Sequence, residues 1–210
     1  MRECSERKCY MGDFLIHNSV LKRYIGSAKN VVIPDGVTRI GKFAFSACLT
    51  VTGITIPSSV QDIDSYAFCD CLKLESIAIP ECVTNIGAGA FFGCRGLADE
   101  AGFVIVRSCL YDYIGHAQIV EIPDGVTSIS HRAFARCNVL TCVTIPEGVN
   151  SIGEAVFVSC TGLRKILIPK SVTIIEDMAF SRCPNLTIHA PAGSFADHYA
   201  KLYNIPFVKM

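Results

Sequence analysis

The sequence has no excess of charge of either sign. Its 210 residues include 19 Lys and Arg and 19 Asp and Glu, so the formal net charge is zero. A chain without net charge has no overall field that would attract it to nucleic acid or to an anionic lipid surface. We therefore expect no nucleic-acid partner.

Long apolar runs are also absent, although the mean hydropathy is +0.40. The apolar stretches stay as short as Phe103–Val106, whereas a membrane-spanning helix needs roughly 20 such residues, and we expect no membrane insertion. Residues 1–9 are charged and contain no apolar segment of a secretory signal. The sequence as given predicts a cytoplasmic chain, or a cell-surface or secreted one if an export segment belongs to it.

Motifs of catalysis and cofactor binding are missing as well. The sequence contains no Walker A phosphate loop, no His-Glu-x-x-His and no Gly-x-Ser-x-Gly, and Gly87–Ala90 is only a weak glycine cluster. No two histidines have metal-ligand spacing on one element; they are His17, His116, His131, His189 and His198. We predict no enzyme, no cofactor and no metal site.

What the sequence does contain is a repeat. Ile-Pro dipeptides recur with separations of 23, 23, 43, 23 and 23 residues, beginning at Ile33, Ile56, Ile79, Ile122, Ile145 and Ile168. Val, Ile, Phe, Cys and Leu columns keep the same register, and the consensus reads IPxxVxxIxxxAFxxCxxLxxI. The Phe column is Phe45, Phe68, Phe91, Phe134, Phe157 and Phe180. A coil of this kind buries its apolar side only by stacking on its neighbours.

Apolar columns at a period of roughly 20 to 29 residues are the signature of a leucine-rich repeat. We predict a mainly β repeat solenoid with short helical turns, wound as a right-handed superhelix of parallel strands. The Leu-x-x-Ile-x-Ile stretch has the period-2 spacing of a strand, and proline ends it where no amide donor is needed. Val-x-x-Ile-Gly predicts a second extended piece. The Ala-Phe segment predicts a tight helical turn that packs its Phe inward.

The 43-residue gap holds one repeat plus a 20-residue insertion, whose residues Gly102–Gly115 predict a hairpin of two short strands. An earlier segment matches it at an offset of 89 residues: Phe14, Ile16, Leu21, Tyr24, Ile25 and Gly26 correspond to Phe103, Ile105, Leu110, Tyr113, Ile114 and Gly115. We predict one domain over 1–210: a loose tail (1–11), a hairpin segment (12–32), three repeats (33–101), the inserted hairpin (102–121), three repeats (122–190) and a cap (191–210).

The cap is predicted as a helix followed by an extended piece. Ser194 can accept the first free amides of a helix, with Asp197 three residues on. Phe195, Tyr199 and Leu202 have the spacing of one helix face, which we expect to be buried. Residues 205–208 would lie over the last coil and close its edge.

Half of the twelve cysteines form one column of the repeat: Cys48, Cys71, Cys94, Cys137, Cys160 and Cys183. Stacked coils bring equivalent residues to roughly 4.8 Å, which a disulfide tolerates, but free Cys also behaves as a small buried hydrophobe, and we favour reduced thiols. The others are Cys4, Cys9, Cys69, Cys82, Cys109 and Cys142. Cys4 and Cys9 could hold a soft metal, but without a second pair an unstructured tail is the preferred interpretation.

The consensus resembles that of the BspA-like leucine-rich repeat proteins, IPxxVxxIgxxAFxxCxxL, over roughly residues 13–210. The resemblance implies a solenoid with a strand-lined face, in bacteria many of which live in animal hosts. It also implies a frequent surface role in adhesion to host proteins or other cells. No shared functional motif can be carried over to particular residues.

Candidate binding residues are those that flank the inward residue of each long strand. They form six tiers: Asn30 and Val32, Gly53 and Thr55, Ser76 and Ala78, Ile119 and Glu121, Cys142 and Thr144, Lys165 and Leu167. The side chains are small and mostly uncharged, so they could accept an extended protein or glycan-bearing segment. They could equally be strand residues without a ligand. We predict a noncatalytic protein-interaction module, with a structural or adhesive cell-surface repeat as the alternative.

Overall fold

The computed structural model describes residues 9–210. Contacts group the chain into two compact units that meet in sequence at Leu97 and Ala98, and we call them the N-terminal half and the C-terminal half. Each half is a β-solenoid stack with parallel strands and a hairpin at its start, so the predicted fold class is confirmed for each. The single domain over residues 1–210 stays a prediction.

Two parallel ladders run through the N-terminal half. Its elements are β1 (Cys9–Met11), β2 (Phe14–His17), β3 (Val20–Tyr24), β4 (Asn30–Val32), β5 (Arg39–Ile40), β6 (Gly53–Thr55), β7 (Asp62–Ile63), β8 (Ser76–Ala78), β9 (Asn85–Ile86) and the 3-10 turn Arg95–Leu97. The long-strand ladder has the order β4-β6-β8. The short-strand ladder continues from the hairpin in the order β1-β2-β3-β5-β7-β9.

The C-terminal half repeats this plan and adds a cap. Its elements are β10 (Phe103–Val106), β11 (Cys109–Tyr113), β12 (Ile119–Glu121), β13 (Ser128–Ile129), β14 (Cys142–Thr144), β15 (Ser151–Ile152), β16 (Lys165–Leu167), β17 (Ile174–Ile175), β18 (Thr187–Ala190), α1 (Phe195–Leu202) and β19 (Phe207–Lys209). The long-strand ladder is β12-β14-β16-β18-β19, and the short-strand ladder is β10-β11-β13-β15-β17.

The predicted match between the two hairpins extends to their hydrogen-bond register. Phe14 pairs with Tyr24 in the first hairpin, and Phe103 pairs with Tyr113 in the second. Both hairpins shift register at the equivalent place, after Leu15 in the first and after Val104 in the second. The offset of 89 residues therefore relates two copies of one structure.

The long strands end where the sequence predicts. Ile33 still donates its amide to the carbonyl of Thr55 in the next coil, at 3.0 Å. Pro34 has no amide to donate, and its carbonyl accepts the amide of Val37 to start a turn. Proline thus closes each long strand without leaving a donor unpaired.

The Ala-Phe segment is not the helical turn that the sequence predicts. Amides alternate between two partners: Ser46 donates to Phe43 within the coil, at 3.1 Å, whereas Phe45 and Ala47 donate to the next coil. Phe43 and Ala47 have φ of 60° and 56°, and the equivalent residues of every repeat also have positive φ. A helix would pair all these amides within the segment. Consecutive tight turns occur instead, because they leave every second amide free to donate to the next coil.

Phenylalanine fills the interior as predicted. Phe45 and Phe68 stack with ring centroids 5.2 Å apart, and Phe68 and Phe91 are separated by the same distance. Phe134 and Phe157, in the C-terminal half, are 5.0 Å apart. Each of these rings is fully buried. One aromatic ring per coil therefore forms the centre of each stack, and such offset pairs add to the free energy gained by burial.

The cap helix begins as predicted but buries a different face. Ser194 is the N-cap of α1 and accepts a hydrogen bond from the amide of Asp197. Phe195 and Leu202 were expected inside, yet their exposed fractions are 44% and 74%. Tyr199 is buried as expected, and Ala196 and Ala200 are buried in place of the other two residues. The two alanines carry only a methyl group, so the helix backbone can lie close to the last coil, with the Tyr199 ring as its apolar contact.

The two ends of the predicted domain map differ in outcome. The strand after α1 is confirmed, because β19 pairs in parallel with β18. The loose tail over residues 1–11 is wrong at its end, because β1 already pairs with β2 and the ladder starts at Cys9. Cys4 lies outside the described residues, and the structure says nothing of a Cys4–Cys9 pair.

Candidate binding surface

The predicted tiers align in two outward columns in each half. In the N-terminal half one column holds Asn30, Gly53 and Ser76, and the other holds Val32, Thr55 and Ala78. In the C-terminal half the columns are Ile119, Cys142 and Lys165, and Glu121, Thr144 and Leu167. We call these surfaces the N-terminal and C-terminal strand faces. The structure brings together every predicted residue of each face.

Exposure varies along the strand faces. Val32 and Ile119 are widely exposed, with exposed fractions of 69% and 66%, whereas Gly53 is buried and Leu167 is half-buried. A Cβ atom at Gly53 would lie 2.7 Å from Oδ1 of Asn30 and 3.3 Å from Oγ of Ser76. The side chains of Asn30 and Ser76 therefore occupy the space over Gly53, which is buried beneath them.

Two further residues belong to the C-terminal strand face. Thr187 and His189 of β18 pair with Lys165 and Leu167 and extend both columns by one step. Sequence reasoning missed them because Leu186 and Ile188 stand one residue closer than in the consensus and no Ile-Pro follows. Pro191, at the end of this segment, was the signal that could have identified a seventh long strand.

Charge is sparse on the strand faces. The described tiers of the N-terminal face carry no ionisable side chain, and the C-terminal face carries Glu121, Lys165 and His189. Burial, and then the positive charge of Lys165, lower the pKa of His189. His189 is therefore neutral at physiological pH, and the C-terminal face presents one positive and one negative group.

A polar ladder on the short strands of the N-terminal half was not predicted. Nη2 of Arg39 lies 3.0 Å from Oδ2 of Asp62, and Nδ2 of Asn85 donates to Oδ1 of the same carboxylate at 2.8 Å. The hydrogen bonds from Asn85 and Arg39 lower the pKa of Asp62. The polar groups of these three residues are therefore paired with one another across three coils. We interpret this ladder as a set of internal contacts and not as a ligand site.

The column cysteines from Cys48 to Cys183 form no disulfides in the described structure, and the reduced state favoured from the sequence stays a prediction. Sγ of Cys71 donates to the carbonyl of Phe45 at 3.0 Å, and Sγ of Cys94 donates to that of Phe68 at 3.1 Å. The contact with Cys71 and burial raise the pKa of Cys48. A thiol with a raised pKa is a poor nucleophile, so Cys48 is not activated for chemistry, and the thiols of Cys71 and Cys94 serve as donors between coils.

The remaining chemistry of the described residues is equally plain. Among residues 9–210 no group of three or more His, Cys, Asp or Glu side chains could hold a metal ion. Within that same range, no helix has the length and apolar character needed to cross a membrane. The off-column thiol of Cys69 contacts the hydroxyl of Ser46 at 3.1 Å, and burial raises its pKa.

Family comparison agrees with the repeat register. Six copies of the BspA-type leucine-rich repeat region match residues 16–100 and 104–196. The chain belongs to this family. Leucine-rich repeat proteins of this type are typically interaction or surface proteins and generally noncatalytic. The sequence has no significant match among curated proteins.

Several solved structures of bacterial leucine-rich repeat proteins are similar to this chain. A leucine-rich cell surface protein from Faecalibacterium prausnitzii has 27% identity over 82% of this chain and 62% of its own, with a TM-score of 0.45. A leucine-rich repeat protein of T. pallidum has 27% identity over 81% of this chain and 62% of its own, with a TM-score of 0.32. For one from Bacteroides ovatus the values are 24%, 82%, 66% and 0.34. This chain thus spans less than two thirds of the length of each of the first two proteins.

Proposed function

We propose that this protein is a noncatalytic interaction module that binds an extended segment of a partner protein along its strand faces. The observation that carries the proposal is the register of the outward columns, in which residues such as Val32, Thr55 and Ala78 follow one another on adjacent parallel strands. Adjacent strands in a sheet are about 4.8 Å apart. A column therefore offers regularly spaced contacts along the axis of each half.

The chemistry of the faces favours a protein segment over a charged ligand. Val32 and Ile119 offer exposed apolar contacts, and Asn30, Thr55 and Ser76 offer hydrogen-bonding groups beside them. Apolar contacts supply affinity, whereas correctly paired polar groups fix orientation. The ladder residues are already ordered, so the backbone of this protein has little conformational entropy left to lose on binding.

The test is affinity capture with charge-bearing variants. Thr55→Glu, Ala78→Glu and Thr144→Glu place carboxylates on the strand faces, and Thr38→Glu, Thr84→Glu and Thr173→Glu place them on exposed threonines beside the short strands. We expect the first set to lose a partner captured by the native protein and the second set to retain it. Equal capture by both sets, with unchanged circular dichroism, would contradict the proposed surface.

A second candidate is an adhesive repeat displayed outside the cell, supported by membership of a family in which surface proteins are frequent. The state of the twelve cysteines separates an oxidised extracellular form from a reduced one. A thiol titration of the unfolded protein, prepared without reductant, counts them directly. Twelve free thiols would contradict an oxidised extracellular form, whereas paired losses of thiols would support it.

A further inference from the structure

A cavity of about 250 Å³ lies beside the cap of the C-terminal half. The last repeat and the segment from α1 to β19 supply its walls, which are Met178, Phe180, Ser181, Tyr199, Tyr203 and Ile205. Pockets that hold drug-sized ligands have volumes of roughly 300 to 1,000 Å³, so this cavity suits a smaller, compact group. Its walls are mainly aromatic and aliphatic, with the Ser181 hydroxyl and the two phenols as polar groups.

Three aromatic rings meet at this cavity in two orientations. The Phe180 and Tyr199 rings stand edge to face, with centroids 5.8 Å apart and planes at 78°. The Tyr199 and Tyr203 rings are 4.4 Å apart and tilted by 32°. Ring faces carry partial negative charge, and a cation within about 6 Å of a ring centroid is attracted to it.

A carboxylate adds to this negative character. The Tyr203 hydroxyl donates to Oδ1 of Asp177 at 3.1 Å, which makes the ring more electron-rich. This hydrogen bond, burial and the charge of Asp177 raise the pKa of Tyr203. Burial, followed by the neighbouring Tyr203 and Asp177, raises the pKa of Tyr199 to about 12. Both phenols are therefore neutral at physiological pH, and Asp177 acts on both rings.

The cavity walls contain no basic side chain, and the basic residues nearest to them in sequence are paired or exposed. No Lys or Arg is among the six lining residues. Lys201 of α1 is engaged with Asp197, with Nζ 2.8 Å from Oδ1. Arg182 follows the lining residue Ser181 and is exposed. The walls thus combine aromatic surface with one adjacent carboxylate.

We propose that this cavity binds a quaternary ammonium group of the size of trimethylammonium. A primary ammonium is a compact, strongly hydrated charge, so its transfer from water to walls that are mainly aromatic and aliphatic costs more free energy than that of a quaternary ammonium. A quaternary ammonium has no donor to satisfy. Its methyl groups contact the rings and the Met178 side chain, and its charge faces the aromatic surface and Asp177.

Proton NMR of the full chain tests this with choline and with 3,3-dimethylbutan-1-ol, a neutral compound of the same shape. We expect choline to bind about fivefold more tightly than the neutral compound, because Met178 and Tyr203 leave the site partly exposed and cation–π attraction is modest there. Ring currents should move the bound N-methyl signal upfield. Equal affinities, or no saturable binding of choline, would overturn the proposal.

Matched variants locate the binding. Tyr203→Leu should weaken choline binding about fivefold, and Tyr203→Phe, which keeps the ring, should weaken it less. Phe43→Leu serves as the control, because Phe43 in the N-terminal half has a similar exposed fraction, 48% against 45%. Choline binding that survives Tyr203→Leu unchanged in a folded protein would overturn the proposal. A trimethyllysine amide, compared with choline, identifies the preferred carrier of the same group.

Discussion

The thiol of Cys160 donates a 2.9 Å hydrogen bond to the carbonyl oxygen of Phe134, which stands 26 residues earlier in the chain. That carbonyl also accepts the amide of Cys137, at 3.2 Å. Both acceptor positions of one buried oxygen are therefore occupied, one by the backbone of its own coil and one by the next coil. Cysteine suits this position because it is small and apolar and still carries a weak donor.

Replacing Cys160 by alanine removes one of these two bonds. We expect Cys160→Ala to lower the free energy of unfolding by about 1 to 2 kcal/mol, since a hydrogen bond and the contacts of a buried sulfur are lost. Urea unfolding followed by circular dichroism measures the change. Cys82→Ala is the control, because Cys82 is off the column and only half-buried. A loss at Cys82 as large as that at Cys160 would contradict the role of the column.

Gly89 separates the effect of backbone conformation from that of packing. It has φ of +64°, and a Cβ atom there would collide with the ring of Tyr66. Gly12 has a similar φ of +58°, with no atom within 4 Å of that position. A left-handed alanine costs about 1 kcal/mol in either place. We expect Gly89→Ala to lose about 1 to 2 kcal/mol more than Gly12→Ala in urea unfolding, because Tyr66 must move.

Equal losses for the two variants would mean that Tyr66 yields without cost. In that case the ring contact between Phe43 and Tyr66, which are 5.4 Å apart, would not fix the position of Tyr66.

Acid should weaken the cap through Asp197. The hydrogen bond from Lys201, and then the one from the Gly193 amide, lower the pKa of this carboxyl. A carboxyl with a lowered folded-state pKa stabilises the fold above its unfolded value of about 3.9, and this contribution is lost as the pH falls through the folded value. We expect Asp197→Asn to flatten the fall in stability below about pH 4.

Thermal unfolding between about pH 2 and 7 measures this dependence. Asp35→Asn, in an exposed turn of the N-terminal half, should leave the pH profile of the C-terminal half unchanged. If Asp197→Asn and the native protein lost stability in parallel under acidic conditions, the cap carboxylate would not be the group responsible.

The positions of six of the seven long strands could be predicted because each of these six is fixed by several columns at once. The inward residue of β4, Val31, lies at a set distance before Pro34, and proline ends the strand by the absence of its amide. The tiers that hold Gly53 and Cys142 follow from the two-residue period of a strand. The hairpins were predictable because the pattern of the first, with Phe14 at its start, recurs in the second.

Other features could not be predicted from the sequence because they depend on contacts between coils that are neighbours in the fold. Spacing alone gave Phe195 and Leu202 the inner face of α1, but the close approach of the helix depends on the surface beneath it. The turns around Phe45 depend on donors that serve the next coil, which a single repeat does not reveal. The carboxylate at the cavity became visible only when the fold placed Asp177 beside Tyr203, 26 residues away.

The tight turns before and after each buried Phe are built from main-chain hydrogen bonds, and their left-handed residues carry side chains that these bonds do not use. Phe43 in the N-terminal half occupies the place that Arg132 occupies in the C-terminal half, and Ala47 corresponds to Arg136. The two halves thus have the same backbone plan but present different side chains at these turn positions. The backbone turns are the same in the two halves, whereas the exposed side chains that they carry differ from one half to the other.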